Sequence, residues 1–225
     1  MKTLILTGSD ERMLNVLDLT LPSKQEYCKK HNYDLLSLRS FHADTEDIQN
    51  NFNSYNIGFL RVLIAFKQLR YYDNVMWIDA DSIITNMEYK IEDFILNDAC
   101  FIASYDWMHF NSFSTGNFII RKTSNMQSLI DKFISVSQNR LSDVMQEQGA
   151  LNQIYTESNE YKEMFNILPH KFLGGVPNIV YDTASWSGRW PLIDPWTPDF
   201  FLAHLTGMTA EERVEILSNN KLNLK

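Results

Sequence analysis

Apolar runs alternate with amphipathic stretches along the first part of the chain. The run TLILTG predicts a buried strand that ends at Gly8, and SDERMLNVLDLTL predicts a helix capped by Ser9 or Asp10. Residues 22–32 are also predicted to be helical, with Pro22 near the first turn of that helix. The segment YDLLSL predicts a second strand. The chain therefore begins as a strand–helix–strand unit.

The same alternation continues up to residue 80. The segment IGFLRVLIAFKQLRYY carries an apolar stripe at helical spacing and leads directly into the strand NVMWID. Because strands and helices alternate three times, the pattern predicts an α/β fold with a mostly parallel mixed central sheet flanked by helices. The stripe consists of Phe59, Val62, Leu63, Phe66 and Leu69.

Beyond residue 80 the pattern is less regular. CFIASYDW and GNFIIRK predict strands, and residues 124–139 and 141–156 predict helices. Polar residues 40–56 predict a surface loop or lid, and the Gly-, Pro- and Trp-rich residues 172–199 predict irregular structure. With no boundary in composition, we expect one domain over residues 1–225.

Composition and charge exclude several classes of protein. The formal net charge is -8, and scattered Lys and Arg residues give no dense basic patch of the kind that nucleic acids require. Cys28 and Cys100 are too few for a disulfide framework and suit a reducing compartment. The apolar run Leu4 to Leu6 is too short for a signal peptide, so we expect a cytoplasmic protein without a membrane span.

Two aspartates follow an apolar strand in the segment VMWIDADSIITN. Asp79 and Asp81 are two residues apart, so both side chains point to the same side of an extended segment. Functional residues of open α/β sheets lie at such strand ends, and a divalent cation such as Mg²⁺ or Mn²⁺ relieves the repulsion between two carboxylates. The alternative interpretation is a solvated turn at the end of a strand.

Several segments in the same order resemble the GT-A glycosyltransferases that use nucleotide sugars and a metal ion. MWIDADSIITN is similar to the signature of the retaining α-galactosyl, α-xylosyl and α-mannosyltransferases, and SFSTGNFIIR, EQGALNQIY and DFFLAHLTG resemble their later motifs. The compact chain also resembles a small glycosyltransferase of a large algal DNA virus. The resemblance implies a Rossmann-like GT-A domain, with a nucleotide-binding half at residues 1–105 and a sugar- and acceptor-binding half at residues 106–225.

The resemblance also implies a set of site residues. Asp79, Asp81 and His204 would bind Mn²⁺ or Mg²⁺, and Asp79 could instead bind the ribose. The donor nucleotide, its diphosphate and its sugar would contact Thr7, Gly8, Ser9, Arg61, Asp79, Ser114 and Gly116. The reacting centre would be lined by Asp106, Glu147 and Gln148.

Ordinary structural roles remain open for most of these residues. His204 could cap a buried strand, and Arg61 could form a surface salt bridge. Thr7 to Ser9 could form a plain turn with a helix cap, and Asp106 could cap a turn. We also expect one of three tryptophans to contact the acceptor, although aromatic side chains are usually core residues. These are Trp186, Trp190 and Trp196.

Three departures from the family pattern affect the donor site. Ser114 stands where the family usually has Asn, so Asn111 or Asn117 could contact the sugar instead. Glu147 replaces the usual Asp, and GMTAEER has no lysine for the β-phosphate just after His204. These differences leave the identity of the sugar and the details of phosphate binding open.

The sequence therefore predicts a retaining glycosyltransferase that moves a hexose or deoxyhexose from a nucleoside diphosphate, such as UDP, to a glycan hydroxyl. Retention could arise by front-face attack beside Gln148 or by double displacement through Glu147. The alternatives are a haloacid-dehalogenase-type phosphatase with Asp79 as nucleophile, and a sugar-binding module without catalysis.

Overall fold

A computed structural model describes residues 1–39, 57–106, 112–141, 145–183 and 195–222. The predicted loop at 40–56 and the candidate contacts Asn111, Trp186 and Trp190 lie outside these ranges.

A six-stranded mixed sheet organises the described part of the chain, with the strand order β2-β1-β3-β6-β5-β7. Strand β1 pairs in parallel with β2 and β3, β5 pairs in parallel with β7, and β6 runs antiparallel to both β3 and β5. The predicted mixed, mostly parallel sheet is therefore confirmed. The strands are β1 Thr3–Gly8, β2 Asp34–Leu38, β3 Asn74–Ile78, β4 Ser82–Ile84, β5 Phe101–Tyr105, β6 Phe113–Arg121, β7 Phe165–Leu168 and β8 Leu202–His204.

Helices cover both faces of this sheet. They are α1 Leu14–His31, α2 Ile57–Gln68, α3 Met126–Gln138, α4 Gln146–Glu157, α5 Asn159–Glu163, α6 His170–Leu173, α7 Asn178–Thr183 and α8 Ala210–Ser218. Short 3-10 turns cover Glu11–Met13 and Ile91–Phe94. The apolar stripe predicted for α2 is buried, and it packs with α3 and α4 on one face of the sheet.

Two local predictions differ from the structure. Pro22 lies inside α1 rather than in the first turn of a new helix, because α1 continues unbroken from Leu14 to His31. Burial of Leu17 and Tyr27 on either side of Pro22 stabilises the continuous helix against the loss of one backbone hydrogen bond. Residues 178–183, predicted to be irregular, form α7, in which Val180 is buried.

A second, two-stranded sheet brings the C-terminal part of the chain to the end of β3. Strands β4 and β8 pair antiparallel, and Ser82 lies opposite His204. The pairing places His204 next to the turn that carries Asp79 and Asp81. Within the described ranges, we find no helix whose length and apolar character would let it cross a membrane.

Candidate active site

Asp79 and Asp81 lie in the tight connection between β3 and β4. The Ser82 amide donates to the Asp79 carbonyl at 3.1 Å, and the Asp79 amide donates to the carbonyl of Gly116 in β6 at 3.1 Å. The Leu205 amide donates to the carbonyl of Asp81 at 3.0 Å. Backbone bonds from two neighbouring strands therefore fix both aspartates, so the connection is not a freely solvated turn.

The side chains of Asp79, Asp81 and His204 converge on one point. His204 Nε2 lies 3.3 Å from Asp81 Oδ1 and 3.8 Å from Asp79 Oδ2, and the three ligand atoms lie within 4.8 Å of one another. Adjacent ligands of an octahedral Mg²⁺ or Mn²⁺ ion are separated by ~3 Å, since each bond is about 2.1 Å long. Two carboxylates and one imidazole therefore fit a divalent cation in both donor type and spacing.

Gly116 lies against this cluster. A Cβ atom at Gly116 would be 2.4 Å from His204 Cε1 and 3.1 Å from Asp79 Oδ2. Only a residue without a side chain leaves room for the histidine ring at this distance. The glycine that the sequence analysis assigned to the sugar pocket thus also bounds the candidate metal site.

Arg61 joins the aspartates to the second predicted catalytic region. Its guanidinium pairs with Asp79 Oδ1 at 2.5 Å and with Glu147 Oε1, which also accepts a bond from the Thr115 hydroxyl at 2.8 Å. Burial opposes the charge on Arg61, but the two carboxylates outweigh this effect and raise its pKa. Trp77 Nε1 donates to the same Asp79 oxygen at 2.6 Å. Asp79 Oδ2 is thereby the oxygen that faces His204.

Arg213, in α8, is a site residue that the sequence analysis missed. Its guanidinium contacts Asp81 Oδ2 at 2.8 Å, and its Nε donates to the Leu205 carbonyl at 2.8 Å. Burial works against ionisation of Asp81, but His204 and Arg213 have the larger combined effect and lower its pKa. Nothing in the segment AEERVEILS distinguishes this arginine from a surface residue, so only its position after folding identifies it.

A cavity of about 270 Å³ opens in front of these groups. Gly8 and Ser9 at the end of β1 line one side, and Arg61, Asp79 and Arg213 line the other. Gly8 and Ser9, which are expected to hold the nucleotide, therefore share a cavity with Arg61 and with Asp79 and Asp81 of the candidate metal site. The hydroxyl oxygens of Thr7 and Ser9 are buried and have no hydrogen-bond partner in the described part of the chain, which is unusual for polar atoms.

Residues expected near the sugar form a linked group beside this cavity. Gln148 Nε2 donates to Asp106 Oδ2 at 2.7 Å, and Gln148 Oε1 accepts from the Thr115 amide at 3.3 Å. The hydroxyl of Ser114 accepts from the Gly116 amide at 3.3 Å. Strand β6 thereby connects the sugar-side residues to the candidate metal site.

Two further candidates have structural contacts. Asn117 is buried, with Oδ1 accepting from the Asp79 amide at 3.2 Å and Nδ2 donating to the Leu173 carbonyl at 3.1 Å. Its amide therefore orients the backbone of Asp79. Trp196 packs in an apolar cluster with Val176 and Leu205. The expected contact between a tryptophan and the acceptor stays a prediction.

A buried polar network on α1 holds the backbone of the Asp79–Asp81 connection. The Thr20 hydroxyl donates to the Ala80 carbonyl at 2.6 Å, and Lys24 Nζ donates to the Ser82 carbonyl at 2.6 Å and to Thr20 Oγ1 at 2.9 Å. Complete burial lowers the pKa of Lys24 to about 7, although the nearby Asp81 and Asp79 oppose the shift. Helix α1 thus holds the backbone between the two aspartates.

Comparison with known proteins agrees with this geometry. Residues 1–104 match the sequence profile of the galactosyl transferase GMA12/MNN10 family. None of the curated proteins gives a significant match to the chain. The profile covers β1 to β5 and includes the Asp79–Asp81 connection.

Solved structures extend the likeness to nearly the whole chain. A glycosyltransferase involved in the glycosylation of the major capsid of PBCV-1 has a TM-score of 0.68 at 15% identity, over 97% of this chain and 100% of that chain. The chain has the GT-A glycosyltransferase fold. The galactosyltransferase LgtC, in complex with donor and acceptor sugar analogs, matches with a TM-score of 0.53 at 15% identity, over 96% of this chain and 95% of that one. GlyE of Streptococcus pneumoniae TIGR4 matches with a TM-score of 0.58 at 14% identity, over 99% of this chain but only 64% of that one.

The expected resemblance is therefore confirmed for both the fold and the class of enzyme. The profile match and the GT-A fold identify a glycosyltransferase. Neither finding supports the phosphatase alternative.

Proposed function

We propose that this GT-A glycosyltransferase transfers a hexose or deoxyhexose from UDP to a hydroxyl of a glycan, with retention of the anomeric configuration. The observation that carries the proposal is the convergence of Asp79 Oδ2, Asp81 Oδ1 and His204 Nε2, whose ligand atoms lie within 4.8 Å of one another. A buried cluster of this kind beside a cavity suits a nucleoside diphosphate held through a metal ion. The galactosyltransferase LgtC, a structural neighbour, was solved with donor and acceptor sugar analogs.

Asp79, Asp81 and His204 would hold Mn²⁺ or Mg²⁺. When bound, the divalent cation neutralises charge on the departing diphosphate. Gly8 and Ser9 would contact the base and ribose, because both line the cavity, and Thr7 directly precedes them in β1. The buried hydroxyl oxygens of Thr7 and Ser9 have no hydrogen-bond partner among the described residues. Ser114 and Gly116, in β6, would lie along the donor sugar.

Arg213 would take the place of the lysine that the sequence lacks after His204. Its guanidinium lies in the same cavity as Arg61, and both contact a carboxylate of the proposed metal site. Two guanidinium groups supply the positive charge that an overall acidic chain needs to bind a diphosphate. On donor binding, the phosphate oxygens would compete with the aspartates for these arginines.

The contacts of Glu147 favour front-face attack over double displacement. Its carboxylate pairs with Arg61 and Thr115, and its second oxygen packs against Gly58, where a Cβ would be only 1.9 Å away. A carboxylate held in this way is poorly placed to attack an anomeric carbon. The acceptor oxygen would instead attack from the side of the leaving diphosphate and pass its proton to the departing phosphate oxygen. Gln148, held by Asp106, would lie beside the developing positive charge on the sugar.

Calorimetry tests the donor site directly. UDP-galactose, UDP-glucose, the deoxyhexose donor UDP-rhamnose and GDP-mannose are each titrated into the protein with Mn²⁺ and then with EDTA. We expect one UDP-sugar to bind only with Mn²⁺, and Asp81→Asn to lose this binding. Asp18→Asn is the matched control, because Asp18 is exposed and pairs with Arg39.

Two outcomes would contradict the proposal. If no nucleotide sugar binds with Mn²⁺ present, the donor site is wrong. If a bound UDP-sugar is slowly hydrolysed and proton NMR shows the β anomer as the first product from an α-linked donor, retention is wrong. A covalent glycosyl adduct on Glu147 in mass spectrometry would replace front-face attack by double displacement.

A further inference from the structure

A second cavity lies beyond the sugar-side residues and has a different character. Its volume is about 420 Å³, larger than that of the proposed donor cavity. Tyr105 and Tyr155 contribute aromatic rings, Ser112 a hydroxyl and Lys162 a cation. None of its described lining residues is acidic. We call this cavity the tyrosine groove.

The tyrosine groove adjoins residues of the proposed reacting centre. Tyr105 directly precedes Asp106, which accepts the hydrogen bond from Gln148. Gln148 and Tyr155 lie on the same face of α4, because seven residues make almost two complete turns. The two positions are therefore separated by roughly 10 Å along the helix axis, a distance that further sugar rings of an oligosaccharide can cover.

The surface between these two points is rigid. Asn152, on the same face of α4, accepts from the Phe113 amide and donates to the Phe113 carbonyl, each at 3.1 Å. The Tyr155 ring packs edge-on against Phe113, with 5.7 Å between the ring centres and an angle of 89°. The floor of the groove is therefore formed by side chains that contact one another.

The groups in the tyrosine groove suit a carbohydrate. Tyr105 is 44% exposed, a large value for an aromatic side chain beside a cavity, and aromatic faces stack on the C–H face of a sugar ring. The buried hydroxyl oxygen of Ser112 has no hydrogen-bond partner among the described residues, so a sugar hydroxyl would satisfy it. Lys162 Nζ lies 5.6 Å from the centre of the Tyr155 ring and can reach a hydroxyl or a carboxylate of the same ligand.

We infer that the tyrosine groove binds the second and third sugar units of the acceptor, counted from the unit that receives the transferred sugar. This inference rests on the proposed function, since the groove can bind further acceptor units only if the sugar is transferred next to Gln148. It predicts that the enzyme prefers an oligosaccharide acceptor over the corresponding monosaccharide, because a monosaccharide leaves the groove empty.

Saturation-transfer NMR tests this preference in the presence of UDP and Mn²⁺. The probes are cellotriose, mannotriose, chitotriose and trigalacturonic acid, each compared with its monosaccharide. We expect at least one trisaccharide to bind ten-fold or more tightly than its monosaccharide, and Tyr105→Ala to remove that difference. Tyr71→Ala is the matched control, because Tyr71 is 67% exposed and lies outside the groove. Lys162→Gln separates acidic from neutral ligands, since only trigalacturonic acid loses affinity if the cation recognises a carboxylate.

The outcomes separate the groove from the donor site. If UDP binds with Mn²⁺ but no trisaccharide binds better than its monosaccharide, or if Tyr105→Ala binds like the wild type, the groove proposal is wrong and the donor site stands. If UDP does not bind while a trisaccharide binds and depends on Tyr105, the groove is a sugar site and the proposed transferase function is wrong.

Discussion

The proposed donor cavity and the tyrosine groove are built from different interactions. Around the donor cavity, the charged side chains of the β3–β4 connection, α2, α4 and α8 pair with one another, and His204 of β8 contacts both aspartates. In the groove, aromatic side chains and one exposed lysine surround an open space. Changes in the first region should therefore disturb folding and binding together, whereas changes in the second should alter binding more than folding.

This difference follows from the ligands that the two regions are proposed to bind. A diphosphate with a metal ion has fixed charge and geometry, and a network of buried charges has to be assembled in advance to receive it. Acceptor sugars differ mainly in their hydroxyl groups and linkages, and aromatic faces accept many of them. We expect specificity for the acceptor to depend on the groove more than on the cluster of charges.

The largest expected effect comes from Arg61→Met. The substitution leaves the buried Glu147 carboxylate without its cation, and breaking a buried pair in this way costs about 3–5 kcal/mol. Urea unfolding followed by circular dichroism measures the loss. Arg39→Met, which breaks an exposed pair with Asp18, should cost less than about 1 kcal/mol. Equal losses in the two variants would show that the donor-side network does not stabilise the fold.

Gly116→Ala should weaken metal binding more than it weakens the fold. The added methyl group would be 2.4 Å from His204 Cε1, so the ring has to move away from the aspartates. Changes to residues that orient a metal ligand lower the metal affinity by about 10- to 100-fold. Calorimetric titration with Mn²⁺ gives the affinity, and circular dichroism confirms that the variant is folded. Unchanged Mn²⁺ affinity would place the metal ion away from His204.

His170 links the two regions and should make stability depend on pH. Its Nδ1 lies 3.4 Å from the Tyr105 carbonyl, and burial lowers its pKa to about 4. The unfolded chain therefore binds a proton at a higher pH than the folded chain does. This contribution to stability is fully present above pH 6.5 and is lost as the pH falls from 6.5 to 4.

At pH 5 the loss assigned to His170 should be about 2 kcal/mol relative to pH 8. Urea unfolding of the wild type and of His170→Gln at both pH values isolates the contribution of His170 to the free energy of unfolding. The variant should lose that much less stability on acidification. Parallel behaviour of the two proteins would show that other groups cause the acid sensitivity.

The smallest effect on stability is expected in the tyrosine groove. Lys162 is exposed, so Lys162→Gln should change the free energy of unfolding by less than about 0.5 kcal/mol. Tyr105 is 44% exposed, so Tyr105→Ala removes a partly buried ring and should cost about 1–2 kcal/mol. Chemical denaturation provides the measurement. A loss of several kcal/mol from either variant would mean that the groove is part of the core, and the contrast between the regions would disappear.

Sequence patterns alone predicted the strands and helices whose structure depends on the spacing of apolar residues within one segment. The apolar runs before Gly8 and Asp79 became β1 and β3, and the stripe in IGFLRVLIAFKQ became a buried helix face. Each of these signals lies within one continuous segment, where the spacing of apolar side chains decides the structure. The same locality correctly predicted that Asp79 and Asp81 follow directly after a strand.

Only the tertiary structure decided which distant residues complete the two regions. The antiparallel pairing of β4 with β8 brings His204 to the aspartates, and the packing of α8 brings Arg213 to Asp81. The groove joins Tyr105 on β5 with Tyr155 on α4, and no local pattern connects them. Such contacts depend on how the sheet and helices pack, because side chains that are far apart in sequence meet only after the chain has folded.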